Sequence, residues 1–227
     1  MFTGVIADTL AIFLGGTIGL FIHQGIPEKV EQAIMKALAL SAIYIGITGM
    51  TSGENTIFII LALVVGVVIG EFINLDDNVH RFTHFLASKI PTQDKNTTFS
   101  EGFITGSLMM CVGALSIVGP IESGLSGDHT ILFTNAIMDG FTSIILASSL
   151  GIGVLFSGFL VFVYEAAIVV FSGSLNTILT TPMIDDINAI GSILVLAIGL
   201  NMLKLTDIKV MNFVPALFIP IIVFFLY

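Results

Sequence analysis

Apolar runs of about 20 residues recur from one end of this chain to the other, each long enough to cross a lipid bilayer as a helix. Only 10% of the residues are charged and 56% are hydrophobic, whereas a soluble domain carries roughly a quarter charged residues. Too few polar residues remain to build a solvated shell. The runs are continuous rather than alternating, which argues against a transmembrane β-barrel. The expectation is an all-α polytopic membrane protein whose first partner is the lipid bilayer.

Eight spans are expected, near residues 3–22, 33–50, 56–74, 102–120, 130–147, 152–172, 187–203 and 209–226. The count falls to seven if one is re-entrant, and the short "SSLG" between the fifth and sixth makes those two candidates. The first run has no basic segment before it and contains Asp8, so it reads as a retained helix rather than a signal peptide. The basic residues test the count independently. Lys29, Lys36, Arg81, Lys89, Lys95, Lys204 and Lys209 all fall in or beside odd-numbered connections. By the positive-inside rule those connections are cytoplasmic and both termini extracytoplasmic. The whole chain, 1–227, then reads as one transmembrane domain in the bacterial inner membrane. A cytoplasmic interfacial helix and linker occupy about 75–101: Val79, Phe82, Phe85 and Leu86 recur at helical spacing, and Pro91 ends the helix.

Several function classes lose support here. The net charge of −9 comes from acidic residues largely in loops, among them Glu54, Asp76, Asp77, Glu122, Asp128, Asp185 and Asp186. No basic stripe exists for nucleic acid. One cysteine, Cys111, excludes an intrachain disulfide and reads as a packing residue. Asp77, His80 and His84 share a helix face, but solvated side chains explain them better than a metal, so metal binding is left open and no cofactor is expected. An intramembrane aspartyl protease would need Gly-x-Gly-Asp; "LSGD" has Ser126 in place of a glycine and sits in a loop. The protein is not expected to be an enzyme.

Small residues four apart let helices approach closely in lipid, and Gly15–Gly19, Gly66–Gly70 and Gly102–Gly106 have this spacing. Such faces also leave a homodimer open. Spans 1–3 and 6–8 have similar spacing: "GVIADTLAIF" from Gly4 lies over "GVLFSGFLVF" from Gly153, and Gly46 over Gly199. The two sets enter from opposite sides, so they would form an inverted repeat, a common plan of secondary transporters.

The stretch "TNAIMDGFTS" sets Asp139 inside a span, with Asn135 one turn before it and Thr142 three residues after it on one face. A lone aspartate in a span costs about 3 kcal/mol to insert, so membrane carboxylates face a cavity or a partner. Glu165 is also mid-span, whereas Asp8 and Glu71 lie nearer span ends and within reach of surface water. No basic residue is placed to pair with Asp139 or Glu165. Each is therefore protonated, hydrogen-bonded or neutralised by a transported cation. Glycines and Pro120 between 113 and 127 should unwind the backbone beside them, where Ser116, Glu122 and Asp128 add polar groups. Asn201 and Asn212 flank the seventh connection and suit capping or interhelical hydrogen bonds.

"MCVGALSIVGPIESGLSGDHTILFTNAIMDGFTSIILASSLGIGVLFS", with "GGTIGLFI....IPEKV" and "IGLNMLKLTDIKVMNFVPAL", closely resembles the bacterial integral membrane family called domain of unknown function 554 (YdfK/YqgA-like). The resemblance covers essentially the whole chain. It implies an inner-membrane protein with its functional region in the central segment, and it supplies no substrate. Glu165 in "VYEAA" departs from the family pattern, which often carries a neutral Gln there. The residues favour a secondary transporter of a small solute or ion, coupled to H⁺ or Na⁺ through Asp139. An ion channel and a non-transporting scaffold or regulatory subunit are the alternatives.

Overall fold

The structure, a computed structural model, describes residues 2–23, 28–53, 55–89, 96–111 and 114–226. Backbone N–H and C=O groups in lipid must be satisfied within the segment, and the chain does this with helices. They are α1 (Thr3–His23), α2 (Glu28–Gly49), α3 (Thr56–Ile73), α4 (Leu75–Lys89), α5 (Asn96–Cys111), α6 (Ala114–Leu125), α7 (Thr130–Leu150), α8 (Gly153–Ile178), α9 (Thr181–Met202), a 3₁₀ helix (Val210–Phe218) and α10 (Ile219–Leu226). No strand occurs among the described residues.

Five helices, namely α1, α3, α7, α8 and α9, are long and apolar enough to cross a membrane. A sixth crossing is added if α5 and α6, whose apolar parts Phe99–Cys111 and Leu115–Leu125 are bent by 59° relative to each other, count as one span. The remaining two of the eight expected segments are helical but short in apolar length, over Ala39–Gly49 and Val210–Val223. The reasons are local. The first turns of α2 carry Glu28, Lys29, Glu31 and Lys36. Pro215 and Pro220 divide the last segment into 3₁₀ and α-helical parts. The fifth and sixth segments are full helices α7 and α8, joined through Gly151, whose φ of 71° suits a residue without a Cβ.

Connections are set by caps. Asn55 accepts the Phe58 N–H at 3.1 Å to start α3, and Asn74, at φ 48°, ends it and turns the chain into α4. Phe82 and Phe85 on α4 are exposed, as an interfacial helix requires. Pro91 and most of the expected linker lie outside the described residues, and α5 already starts at Asn96.

The chain folds into two compact units interleaved in sequence: Met1–Met35 with Thr83–Thr177, and Lys36–Phe82 with Ile178–Tyr227. In the first, α1 and α7 run parallel and nearly touch backbone to backbone. A Cβ on Gly15 would fall on the Gly140 carbonyl and the Ser143 hydroxyl; one on Gly19 would fall on the Ile144 carbonyl. Helix α8 runs antiparallel to α1, with Gly16 against Leu155 and Gly158 against Ile12. Gly102 and Gly106 of α5 meet Leu150, Val154 and Ser157, while Gly124 of α6 meets Val169 and Ser172. Both halves of the bent pair therefore advance along α8 in the same direction, as a broken span does and a re-entrant hairpin does not.

In the second unit α2 and α9 are antiparallel, with Gly46 against Leu196 and Gly199 against Ala39 and Ile43. Helix α3 is antiparallel to the 3₁₀ helix, with Gly66 against Ala216 and Gly70 against the Asn212 carbonyl. Buried Asn212 accepts the Asp76 N–H at 2.7 Å, tying the start of α4 to the 3₁₀ helix. Asn201 donates to the Ile208 carbonyl at 2.7 Å and accepts from the Ile208 N–H and the Thr206 hydroxyl, which closes the turn after α9. All three glycine pairs read from spacing are thus spent on contacts within a unit. They leave no glycine face on which to argue a dimer.

Large apolar side chains such as Leu14, Phe21, Ile57, Phe72, Phe141 and Val163 are more than half exposed. In water this surface would aggregate; facing acyl chains it is the expected exterior.

Candidate functional site

Three carboxylates from three helices meet inside the first unit. Asp8 of α1 and Glu165 of α8 are 0% exposed and Asp139 of α7 is 7% exposed. Asn135, 5% exposed, donates its side-chain N–H to Asp139 Oδ2 at 3.1 Å. The side chain of Asp8 closely approaches those of Glu165 and Asn135. Even so, neither oxygen of Asp8 nor of Glu165 makes a well-formed hydrogen bond. The three carboxylates lie within electrostatic reach of one another and of Cys111, the last residue of α5. The site therefore sits beside the break of the bent span. Every described Lys and Arg side chain is exposed, so none of them offers the site a buried counter-charge.

The helix packing explains how the site forms. Parallel α1 and α7 bring Asp8 level with Asn135, because Gly4 stands against Leu132 and Gly15 against Gly140. Antiparallel α8 then carries Glu165 past Asp8, seven residues beyond the Gly158–Ile12 contact where Asp8 is four before it, an offset of roughly one turn that the longer glutamate side chain bridges. Close backbone approach of α1 and α7 holds the acidic side chains in a narrow seam from which lipid is excluded.

Asp8 is the member that sequence reasoning passed over as near the surface. A signal was present: Asp8, Ile12, Gly15 and Gly19 follow at four-, three- and four-residue spacing, so the aspartate shares the glycine face that meets α7. Glu71, by contrast, is exposed near the end of α3.

The other expected residues lie apart from this meeting point or serve the backbone. Thr142 is half-buried, three residues beyond Asp139. Buried Ser116 donates its hydroxyl to the Met110 carbonyl at 2.7 Å, bridging the break between α5 and α6. Ser116→Ala is expected to leave that carbonyl unpaired, costing about 1–3 kcal/mol in thermal unfolding of the purified protein. Gly119 and Pro120, expected to unwind the chain, are inside α6.

Glu122 is half-buried and its carbonyl accepts from Ser126. Asp128 is exposed and accepts both the backbone N–H of Thr130, at 2.9 Å, and its hydroxyl, at 2.7 Å, at the start of α7. These bonds, the hydroxyl's first, hold its carboxyl below the ordinary 3.8. A depressed carboxyl stabilises the fold above its unfolded value and ceases to as pH falls through its folded one. Amide exchange in the first turn of α7, corrected for intrinsic rates, is therefore expected to quicken below about pH 3.8 in wild type but not in Asp128→Ala.

Among the described residues no group of three His, Cys, Asp or Glu is arranged to hold a metal ion. His80 lies 3.6 Å from Asp76, and the His84 side chain is outside the described residues.

A multi-pass helical membrane protein with a lipid-shielded acidic site is the class that fold and site define. The chain belongs to the family described as protein of unknown function (DUF554), whose model matches residues 3–225. It is 34% identical over 226 residues to the "Uncharacterized membrane protein YdfK" of Bacillus subtilis (strain 168), covering 98% of this chain and 95% of that one. It is 29% identical over 226 residues to the "Uncharacterized protein YqgA" of Escherichia coli (strain K12), covering 96% and 94%. No solved structure matches it.

Proposed function

We propose that this protein is a secondary transporter, not an enzyme, that moves a small solute or ion across the bacterial inner membrane, coupled to H⁺ or Na⁺ through Asp139. One observation carries the reading: three carboxylates buried on three helices beside the break of a bent span, with every described basic side chain exposed. Intramembrane carboxylates without counter-charges mark ion paths and relays. Discontinuous helices beside such groups are a recurring way to bind cargo in the membrane. In mechanism, Asp139 takes the cation while Asn135 orients it. Thr142 and the end of α5 at Cys111 extend the site toward the solute.

The helix directions support the alternation that eight crossings require, and the basic residues in or beside odd-numbered connections support both termini extracytoplasmic. Within each unit, packed neighbours run parallel when both are odd-numbered or both even-numbered segments, and antiparallel otherwise. They also support the inverted repeat: α1 packs antiparallel on α8, α2 on α9, and α3 on the 3₁₀ helix, which are the three pairs the repeat equates.

The test is purified protein reconstituted on a solid-supported membrane, exposed to pH and Na⁺ jumps and then to a panel of small polar solutes. Saturable, gradient-driven transient currents are expected. Unitary current steps in a planar bilayer would replace the transporter with a channel, and silence under both gradients with every solute would remove transport.

A further inference from the structure

We propose that Asp8 and Glu165 form a proton-carrying pair, a proton held between their two carboxyl groups, so that H⁺ is the ion to which transport is coupled. This rests on the transporter reading and names its coupling ion.

Both side chains are 0% exposed, each approaches the other, and none of their four oxygens has a well-formed hydrogen bond. Two ionised carboxylates in that setting repel and are starved of solvation, which favours a protonated partner. A proton removes both difficulties at once: Glu165, the intrinsically weaker acid of the two, becomes the O–H donor, and Asp8 accepts from it. Asp139 plays a different part, because its Oδ2 already receives the Asn135 amide.

The titratable groups facing the pair add no positive charge. They are Asp139 from α7, Cys111 from the end of α5, and Tyr164 beside Glu165 on α8. A proton needs two oxygens, which the pair supplies.

The step balances simply. The O–H bond breaks, the proton passes to water, and the pair is left as two carboxylates. That state is disfavoured while the site is closed to water. The proton therefore leaves only when the site opens to one side, or when a positively charged group takes its place.

Infrared spectroscopy of the protein in lipid nanodiscs, grown with glutamate carrying a heavy carboxyl carbon, tests the pair. A label-shifted C=O band of protonated glutamate is expected at neutral pH, unchanged by added NaCl at fixed pH. It should be lost in Glu165→Gln and retained in Asp139→Asn. In Asp8→Asn an amide replaces the repelling carboxyl, so the band should disappear at lower pH than in wild type; a purely structural Asp8 would leave that pH unmoved. No such band at neutral pH, its survival in Glu165→Gln, its loss on adding Na⁺, or an unmoved pH in Asp8→Asn would overturn the pair. The wild-type salt experiment and Asp8→Asn keep the test decisive if Glu165→Gln does not fold. Because the band needs no transport, a correct band with silent currents would remove the transporter reading alone, and currents without the band would remove the pair alone.

Discussion

Asp139→Asn is expected to reduce gradient-driven flux to the baseline of protein-free liposomes while leaving the fold intact. The amide keeps the shape of the carboxylate, and its oxygen can still accept from the Asn135 side chain, a bond now 3.1 Å long. It cannot carry a charge or gain a proton, so any step in which Asp139 exchanges a cation stops. The effect on stability should stay within about 1 kcal/mol, since a hydrogen bond between neutral groups replaces one to a carboxyl. Flux through the reconstituted variant and thermal unfolding of the same preparation check the two halves. Wild-type flux would take Asp139 out of the mechanism; a lost fold would return it to a structural role.

Gly15→Leu is expected to part α1 from α7 and dismantle the acidic site. A Cβ at this position lands on the Gly140 carbonyl and the Ser143 hydroxyl, and backbone cannot rotate aside as a side chain can. Overpacking costs typically 1–3 kcal/mol, and this contact belongs at about 3 because the opposing atom is main chain. The neighbouring Leu14 is 65% exposed to the lipid side, so Leu14→Ala serves as a control with little effect. Denaturation in mixed micelles compares them. Because α1 carries Asp8 and α7 carries Asn135 and Asp139, flux should fall with stability in Gly15→Leu, whereas Asp139→Asn loses flux alone.

These two variants probe different layers of what a reading of the chain reaches. The apolar runs announce helices because lipid offers no partner for an open backbone, and that rule acts locally. The glycine pairs announce contact faces for a similar reason: only a residue without a side chain lets two backbones close to this distance. Neither rule names the partner. Gly15 meets Gly140, and Gly70 meets Asn212, through packing across long stretches of chain.

The ends of spans are less legible. Residue counts alone gave the second and last segments the length of a span, but α2 opens on four charged residues and the last segment is cut by two prolines. Ser116 looked like a binding hydroxyl because the sequence does not reveal that its side chain turns back to the Met110 carbonyl. Asp128 looked like part of a site because acidic loop residues and acidic caps are the same residue type.

By itself the sequence determined the class, the helices, the glycine faces and the presence of carboxylates in apolar spans, since each depends on a residue and its near neighbours in lipid. The tertiary structure decided which carboxylates share a site. Asp8 becomes the neighbour of Glu165 only when α1 packs parallel to α7 and antiparallel to α8. The burial that then acts on those groups belongs to the packed helices and to no single one of them.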